Sequence, residues 1–559
     1  MEQPLRTRLP RLLILLLGCL LVLNLLQAHF TELLFDEAYY WYYAQTPAWG
    51  YFDHPPMVAW MIALGGLFGQ GELGVRLLSC LMGTGTIALL WMLIDRPGQK
   101  EFLPQLLVWL FSIALIHAYG FLSLPDTPLL FFTALFLLVY RQFLRNPGLM
   151  TALALGAVMA ALMYSKYHAA LVILAVLASN PALLRNRYAW MALGVSLLAY
   201  SPHLNWLYQQ DFVTVRYHLF ERPNQMYRFD GFTLGFFLNL IALFGFTFPW
   251  AYYGLITFRP SDRFERALVF VALGIIVFFF LSSFQRRVQT QWLIAVCIPM
   301  AVIVGRQLLE KPGLRRWLFR AGWANLAVMA VLRAGLVYQP LFPIRFETHG
   351  NRQWVNNLEE VAGDATVVFE NSYRQASMFS FYSGKPSFSF NNAYYRKNQY
   401  SIDGSEDRVQ GRRVFYIPVV NRETPYAYSD QDGAPRYGQF MESFRSYRKL
   451  QAGLRPDPPS ATARTADFWV HNPYRKSVPL DSLQFGIAYL DTYKRVMQIE
   501  EITPGGSGQW PEQLQAGDSL SFPFAFPPMP DEPAKFMRAV VTRQGLIWGL
   551  NGESQKIVP

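Results

Sequence analysis

The sequence predicts a polytopic α-helical membrane protein with a C-terminal extracytoplasmic region of α/β plus β-sandwich type. The chain is 52% hydrophobic and only 16% charged, which is too apolar for an ordinary soluble protein. Apolar runs of nearly span length recur from Leu12 to about Tyr338, and they stop from about Phe342 onward. We therefore expect a membrane domain over residues 1–341 and an extramembrane region over residues 342–559.

The membrane domain is predicted to contain about eleven transmembrane helices, since a straight span needs ~20 mostly apolar residues. The apolar run at 57–70 is interrupted by Gly65, Gly66 and Gly69, so we expect an interfacial helix there rather than a span. The predicted spans are 12–29, 76–94, 103–120, 128–140, 151–165, 168–184, 189–206, 233–257, 267–283, 291–306 and 318–338.

The distribution of positive charge predicts the topology. The first apolar run follows three arginines but has no small-x-small cleavage site, so an uncleaved first span with an inner N-terminus is expected. Every inner loop is then basic, as the positive-inside rule requires. The basic residues of these loops are Arg96, Lys100, Arg141, Arg145, Arg185, Arg187, Arg259, Arg263, Arg266, Arg306, Lys311, Arg315 and Arg316. The outer side receives the 30–75 loop, the turn at 123–128, the link around Lys166, the loops 207–232 and 285–291, and the C-terminal region.

The net charge of +11 is explained largely by these inner loops. Because no basic face accompanies a recognised nucleic-acid motif, we expect no nucleic-acid partner. The three cysteines, Cys19, Cys80 and Cys297, lie in apolar segments. The C-terminal region has no cysteine, so its stability must come from its core alone.

The first outer loop carries an unusual density of chemical groups, FDEAYYWYYAQTPAWGYFDHPPMVAW over residues 35–60. Asp36 and Glu37 follow an apolar run directly, where carboxylates are costly unless they face water, a partner or a substrate. Either carboxylate suits general acid–base work, and the alternative is a hydrated interfacial loop. The aromatic residues suit a headgroup-level belt or stacking on a substrate, and the candidate lining residues are Tyr39, Tyr40, Trp49 and Tyr51.

Two further groups extend this candidate site. Asp126, in SLPDTPLLFF, begins a predicted span and is interpreted as a helix N-cap, as a second catalytic carboxylate, or as both, since the two roles are compatible. His54 stands between Asp53 and two prolines that hold the chain extended. It is a candidate ligand for phosphate or metal, and the alternative is a hydrogen-bonded histidine of the loop. Asp36 and Asp126 are candidate ligands for a divalent metal, although no short spacing signature supports one.

Three cations are predicted on the same outer face. Lys166 lies between two apolar stretches, where a lysine must be paired, snorkel to water or line a wet cavity. Arg286 and Arg287 break the positive-inside pattern, and this exception calls for an anionic partner. Guanidinium and ammonium groups suit a lipid phosphate or pyrophosphate, with an outer-leaflet phospholipid as the alternative ligand.

At these residues the chain resembles bacterial glycosyltransferases of the protein O-mannosyltransferase and aminoarabinose-transferase type, in the C-type, polyprenyl-phosphate-sugar-dependent superfamily. The similar segments are DEAYYWYYA…WGYFDHPP, SLPDTPLLFF, SKYHAALVI and RRVQTQW, with a weaker similarity in NSYRQASMFSFYSGKP at 371–386. The family often has His-Trp where this chain has Gln291–Trp292.

The resemblance implies an inverting transfer of a sugar from a polyprenyl-phosphate donor at the periplasmic face of a bacterial inner membrane. Asp36 would be the general base, while Glu37 and Asp126 would position the acceptor, the base or a metal. The resemblance assigns the departing lipid phosphate to His54, Lys166, Arg286 and Arg287. The acceptor would be a lipid, a glycan or a protein.

The C-terminal region has short apolar runs separated by Gly, Pro, Asn and Asp, which is typical of strands. We expect a small α/β lobe at 342–440, with a helix in GNRQWVNNLEEVAG, and a β-sandwich at 441–559. Tyr373 and Tyr382 are candidate substrate-lining residues, the run at 391–400 is a candidate acceptor groove or a hydrated loop, and 455–465 is a predicted linker. The predicted strands are ATVVF, SFSF, RRVFYIPVV, ADFWVHN, FGIAYLDTY, SLSFPFAFP and RAVVTRQ.

Two other functions remain open from the sequence. A transporter or flippase of a lipid-linked anion would also use intramembrane cations, but the inverted repeat typical of such proteins is not evident. A membrane scaffold that presents a β-sandwich would leave Asp36, Lys166 and the arginine pair unexplained.

Overall fold

The computed structural model describes residues 9–222, 225–342, 344–420, 423–456, 464–505, 510–528, 530, 533–543 and 545–558. The chain forms two compact units. The first takes in the residues up to Asp211 together with Tyr227–His349. The second takes in Phe212–Met226 and the chain from Gly350 onward. The bounds 1–341, 342–440 and 441–559 stay a prediction, and most of the predicted linker at 455–465 lies outside the described residues.

The first unit is helical, as the recurring apolar runs predict. Its helices, with the short α11 that belongs to the second unit, are α1 Arg11–Phe30, α2 Phe35–Ala44, α3 Met57–Gly66, α4 Gly71–Ile94, α5 Leu103–Ser112, α6 Ala114–Ala118, α7 Asp126–Arg145, α8 Leu149–Ser165, α9 Ala169–Ser179, α10 Arg187–Gln209, α11 Val213–Arg216, α12 Gly235–Phe244, α13 Phe248–Thr257, α14 Arg263–Ser282, α15 Cys297–Glu310 and α16 Pro312–Val337.

Five helical stretches of the described residues are long and apolar enough to cross a membrane. They are Arg11–Phe30, Gly71–Ile94, Asp126–Arg145, Asp230–Thr257 and Arg263–Ser282. Shorter apolar helices include α3, α5, α8 and α9. The polytopic helical fold is thus confirmed, while the count of about eleven spans stays a prediction.

Small residues allow the helices to approach closely, as is typical of packing within membranes. A Cβ added at Gly156 of α8 would lie 2.5 Å from the carbonyl oxygen of Ala192 in α10. A Cβ at Gly83 of α4 would lie 2.4 Å from the carbonyl oxygen of Gly120. The second contact fixes the loop that precedes α7 against α4.

A buried ionic cluster closes one end of this bundle. Arg306 donates to the carbonyls of Ile94 and Leu93, each at 3.0 Å, and Arg141 donates to that of Leu93 at 3.1 Å. These bonds satisfy the terminal carbonyls of α4, which lack partners within the helix. Glu265 pairs with Arg306 at 2.6 Å and balances its charge. Residues at or next to four of the five predicted inner loops, those of Arg96, Arg141, Arg263 and Arg306, therefore meet in one cluster.

The second unit begins, after residue 349, with an α/β layer. Its elements are α17 Asn351–Ala362, β1 Thr366–Glu370, α18 Tyr373–Ser383, β2 Ser387–Phe390, α19 Gln399–Ile402, β3 Arg412–Ile417, β4 Tyr426–Ser429 and β5 Pro435–Phe444. The sheet order is β2-β1-β3-β5-β4, in which β1 pairs in parallel with β2 and β3, whereas β5 is antiparallel to β3 and β4. The predicted helix in GNRQWVNNLEEVAG matches α17.

The chain then forms antiparallel sheets. The strands are β6 Gln451–Arg455, β7 Thr465–His471, β8 Val478–Pro479, β9 Leu483–Leu490, β10 Val496–Ile502, β11 Gln513–Leu514, β12 Ser519–Ala525, β13 Phe536–Arg543 and β14 Gln555–Lys556. One sheet runs β10-β9-β13-β14 and another β12-β7-β6. Their buried side chains, such as Phe468, Phe485 and Val541, share one apolar core. The β-rich C-terminal region is thus confirmed.

Candidate active site

Glu37 lies at the beginning of α2 and is fully buried. Its carboxylate accepts hydrogen bonds from Arg76 Nε at 2.8 Å, from Ser123 N at 2.8 Å and from Leu34 N at 3.1 Å. A further bond from Arg76 Nη2 completes a bidentate pair. Because its carboxylate is buried and accepts from all these donors, Glu37 connects the backbone at Leu34 and Ser123 with the side chain of Arg76. We call this set of contacts the Glu37 junction.

Arg76, on α4, extends this junction to α1. Besides Glu37, its guanidinium donates to the carbonyls of Ala28 at 3.2 Å, Thr31 at 2.5 Å and Glu32 at 3.0 Å. These acceptors satisfy a charge that would otherwise be very costly to bury. The end of α1, the start of α2, α4 and the loop at Ser123 are therefore fixed together by one ion pair.

Asp126 and Lys166 form a second buried ion pair, with 2.6 Å between Nζ and Oδ1. Asp126 is the first residue of α7, whose N-cap is Pro125 without a side-chain cap, so the N-cap interpretation of Asp126 is wrong. Lys166 has extended backbone between α8 and α9 and is 6% exposed, so it is paired rather than snorkelling. The structure thus joins two of the sequence segments that were singled out separately.

Asp36 lies half-buried beside Glu37 on α2. The hydroxyl of Tyr119 is within electrostatic range of both Asp36 and Asp126, so these two carboxylates share a neighbourhood. No group of three or more His, Cys, Asp or Glu side chains within the described ranges could hold a metal. The ammonium of Lys166 balances the charge of Asp126. Metal binding by Asp36 and Asp126 stays a prediction.

The loop around His54 is built on stacked aromatic rings. Tyr43 and Tyr51 stack with centroids 4.4 Å apart, and the hydroxyl of Tyr43 donates to Asp53 at 3.4 Å. Burial raises the pKa of Tyr51 to about 12, so this phenol stays neutral at ordinary pH. The backbone N–H of Tyr51 donates to the carbonyl of His54 at 3.2 Å, and the half-buried imidazole packs edge-on against Tyr40 at 5.5 Å.

The predicted lining residues of this loop differ in exposure. Tyr39, Tyr40 and Tyr51 are buried, whereas Trp49 is half exposed. The three buried rings therefore form the packed interior of the loop. Trp49 is the residue among these four whose side chain is exposed to solvent. Whether they contact substrate stays a prediction.

An aromatic cluster next to Trp49 was not singled out from the sequence. Its members are Trp60, Tyr164, Tyr200, His203 and Trp206. His203 Nδ1 donates to the carbonyl of Trp49 at 2.7 Å, which leaves Nε2 to accept from the hydroxyl of Tyr167 at 3.1 Å. A Cβ at Gly50 would lie 2.3 Å from the ring of Trp206. The three-residue spacing of 200, 203 and 206 on one helix face could have indicated it.

The predicted arginines lie after α14. Arg286 is half-buried and Arg287 is exposed. In the same segment Trp292 packs against His168, with 5.9 Å between ring centroids, and His168 follows Lys166 by two residues. The basic segment and the lysine segment are thus neighbours. Their binding of phosphate stays a prediction.

Tyr373 and Tyr382 lie in the second unit, on α18. The guanidinium of Arg396 lies 4.8 Å from the centroid of the Tyr373 ring, and that of Arg352 lies 5.1 Å from the centroid of the Tyr382 ring. Both tyrosines are half-buried. Such cation–π contacts form a basic and aromatic surface on this unit.

Residues 53–206 match the family "Dolichyl-phosphate-mannose-protein mannosyltransferase". The chain is 28% identical over 312 residues to the lipid A galacturonosyltransferase RgtD of Rhizobium johnstonii. That alignment covers 53% of this chain and 65% of the relative, so the chain matches somewhat less than two thirds of the relative's length.

Solved structures show the same fold. The apo structure of ArnT from Cupriavidus metallidurans superposes with a TM-score of 0.54 at 13% identity, covering 72% of this chain and 92% of that one. The structure of the same protein bound to undecaprenyl phosphate gives a TM-score of 0.52 at 13% identity, with the same coverage. The resemblance expected from the four sequence motifs is thereby confirmed at the level of the fold.

Proposed function

We propose that this chain, which has the C-type glycosyltransferase fold, transfers a sugar from a polyprenyl-phosphate donor to a hydroxyl- or phosphate-bearing acceptor. The observation that carries this proposal is the buried ion pair of Asp126 with Lys166, and the hydroxyl of Tyr119 is within electrostatic range of both Asp126 and Asp36. Carboxylates and a cation around one site suit a reaction that removes a proton from an acceptor and places charge on a departing phosphate.

In the proposed reaction Asp36 accepts the proton of the acceptor hydroxyl. The acceptor oxygen bonds to the anomeric carbon as the bond from that carbon to the phosphate oxygen breaks. The electron pair of the broken bond leaves with the polyprenyl phosphate. Attack from the face opposite the leaving group inverts the anomeric configuration.

Glu37 and Asp126 are positioning residues in this scheme. Glu37 fixes the backbone at Ser123 through a bond of 2.8 Å, and α7 with Asp126 begins three residues later. Lys166 is held by Asp126, and we propose that it shares its charge with a phosphate oxygen. His54, Arg286 and Arg287 are proposed to complete the phosphate site.

The name of the relative RgtD suggests which substrates to test first. We propose polyprenyl-phosphate-linked galacturonic acid as the first donor and lipid A as the first acceptor, and a periplasmic face of the inner membrane as the place of reaction. Protein and glycan acceptors remain in the panel because the matched family is named for a protein mannosyltransferase.

The test uses the full chain in lipid nanodiscs with a panel of polyprenyl-phosphate sugars and acceptors. Mass spectrometry of the acceptor and NMR of the anomeric proton identify the product. A glycosylated acceptor with inverted configuration supports the proposal. Retained configuration excludes the single-step mechanism, and donor movement between leaflets of proteoliposomes without any product supports the transporter instead.

A further inference from the structure

Three parallel strands of the second unit end at one edge of its α/β sheet. β1 lies between β2 and β3 and is parallel to both, so the loops that follow these strands leave from their common carboxyl edge. Glu370, the last residue of β1, is buried and connects the three loops. It accepts from Asn392 Nδ2, after β2, at 2.5 Å and from Val419 N, after β3, at 3.0 Å.

This edge is the place where ligands bind in open α/β sheets. The chain passes from β1 through α18 to β2 on one side of β1, and then crosses to β3 on the other side. Ligands of such sheets bind outside the carboxyl ends of the strands, where the connections diverge to opposite sides. The residues that follow β1 and β2 are therefore the first candidates for a binding site in this unit.

Arg396, in the loop after β2, contacts two tyrosine rings. Its guanidinium lies 4.8 Å from the centroid of the Tyr373 ring, at the start of α18, and 5.4 Å from that of Tyr217, which also belongs to the second unit. The rings of Tyr373 and Tyr395 lie 6.5 Å apart between centroids. A guanidinium that stacks on aromatic rings is held in position, while the N–H donors in its own plane suit bidentate bonds with phosphate.

The sequence around this edge is basic. Residues 371–402 contain no Asp or Glu and four cations, which are Arg374, Lys385, Arg396 and Lys397. Lys385 precedes β2, at the opposite edge of the sheet, and pairs with Glu359 at 2.9 Å. The other three cations lie in the segments that follow β1 and β2. Cations next to tyrosine rings suit a ligand that has an anionic group and an apolar face.

We propose that the carboxyl edge of β1, β2 and β3 binds a phosphate-bearing sugar. Arg396 binds the phosphate, Arg374 and Lys397 add positive charge, and the rings of Tyr373 and Tyr395 pack against the sugar. The inference rests on the proposed function, because it makes this edge the place where the acceptor of the transfer is recognised. A neutral sugar lacks the anionic group, so the site selects phosphorylated acceptors.

The experiment measures binding of N-acetylglucosamine 1-phosphate to the full chain in lipid nanodiscs by isothermal titration calorimetry, which needs no turnover. Arg396→Gln should raise the Kd about 10-fold to 100-fold, the size expected for a lost hydrogen bond to a charged group. The matched control is Lys385→Gln, which removes a cation of the same stretch at the opposite edge and should leave the Kd unchanged. Lys397→Gln is the second variant if Arg396→Gln fails to reconstitute, and it should also raise the Kd.

Three other ligands identify what the site takes. Neutral N-acetylglucosamine and inorganic phosphate should each bind more weakly than the phosphorylated sugar, and undecaprenyl phosphate should bind equally to the wild type and to Arg396→Gln. The proposal is overturned if the wild type does not bind the phosphorylated sugar, or if the variants bind it as tightly. Inorganic phosphate that binds as tightly as the phosphorylated sugar would also overturn it, since the sugar would then make no contact.

The donor and the acceptor are separated by the same measurements. Weaker binding of undecaprenyl phosphate to Arg396→Gln would overturn the inference, because Arg396 would then serve the donor. Because binding is measured without turnover, a wild type that binds the phosphorylated sugar and transfers no sugar would support this site and refute the proposed function alone.

Discussion

Replacing Glu37 by Gln should destabilise the first unit strongly, because the change leaves the charge of Arg76 buried without a counter-charge. Both side chains are 0% exposed, and the carboxylate accepts from Arg76, Leu34 N and Ser123 N. The glutamine amide has one oxygen that can accept from these donors. Its NH₂ group is itself a donor and faces the donors that are left. Removal of one partner of a buried pair costs about 3–5 kcal/mol.

The three carbonyl oxygens that also accept from Arg76 place the expected loss at the low end of that range, at about 3 kcal/mol. A shift of roughly 2 °C per kcal/mol, typical of larger domains, then lowers the unfolding temperature by about 6 °C. The measurement is thermal unfolding of the full chain in nanodiscs, at one scan rate because such unfolding is often irreversible. The matched control is Glu359→Gln, which breaks a partly exposed pair with Lys385 and should cost less than about 1 kcal/mol.

A double variant separates charge from packing. If the cost of Glu37→Gln comes from the uncompensated guanidinium, then Glu37→Gln with Arg76→Met should be more stable than Glu37→Gln alone. The reasoning is refuted if Glu37→Gln unfolds at the same temperature as the wild type. It is also refuted if the double variant loses the sum of the two single losses.

Three further predictions concern the candidate site. Lys166→Met should raise the KM for the polyprenyl-phosphate donor and lower kcat/KM about 100-fold, which is the size expected for a lost charged hydrogen bond. Steady-state kinetics measure this change. An unchanged KM would show that Lys166 is not part of the donor site. Gly50→Ala should destabilise the protein by about 1–3 kcal/mol, because the new methyl group would lie 2.3 Å from the ring of Trp206 and overlap it. A melting temperature equal to that of the wild type would contradict this prediction. Tyr51, whose pKa is raised by burial to about 12, contributes stability that is fully present below pH 10 and is lost as pH rises from 10 to 12. Tyr51→Phe should therefore lose less stability than the wild type over that window in an alkaline unfolding series, and equal losses would show that Tyr51 does not titrate there.

The sequence predicted the helical first unit well because membrane helices carry strong local signals. Apolar length indicated the long helices, and Gly65 and Gly66 correctly suggested a short helix at α3. The strands β1, β2, β3, β7, β9, β12 and β13 matched apolar runs. In contrast, α18 was not predicted as a helix, because YRQASMFSFYS mixes polar, aromatic and small residues without a clear period.

The candidate site was predicted in part. Asp126 and Lys166 were each singled out, but their ion pair joins residues 40 positions apart, and such long-range contacts leave no local pattern. Arg76 was missed because it lies at the start of an apolar run and its partner Glu37 is on another element. The assignment of 212–226 to the second unit was missed for the same reason, since it depends on pairs such as Arg216–Glu553.

The most direct test of the central claim compares sugar transfer by the wild type and by Asp36→Asn in the same nanodiscs, with donor binding measured in parallel. The substitution keeps the shape of the side chain and removes the base, so kcat should fall by about 10²–10⁴ while the Kd for the donor stays within about twofold. Equal turnover by the two proteins would contradict the account, because Asp36 would then not be the base.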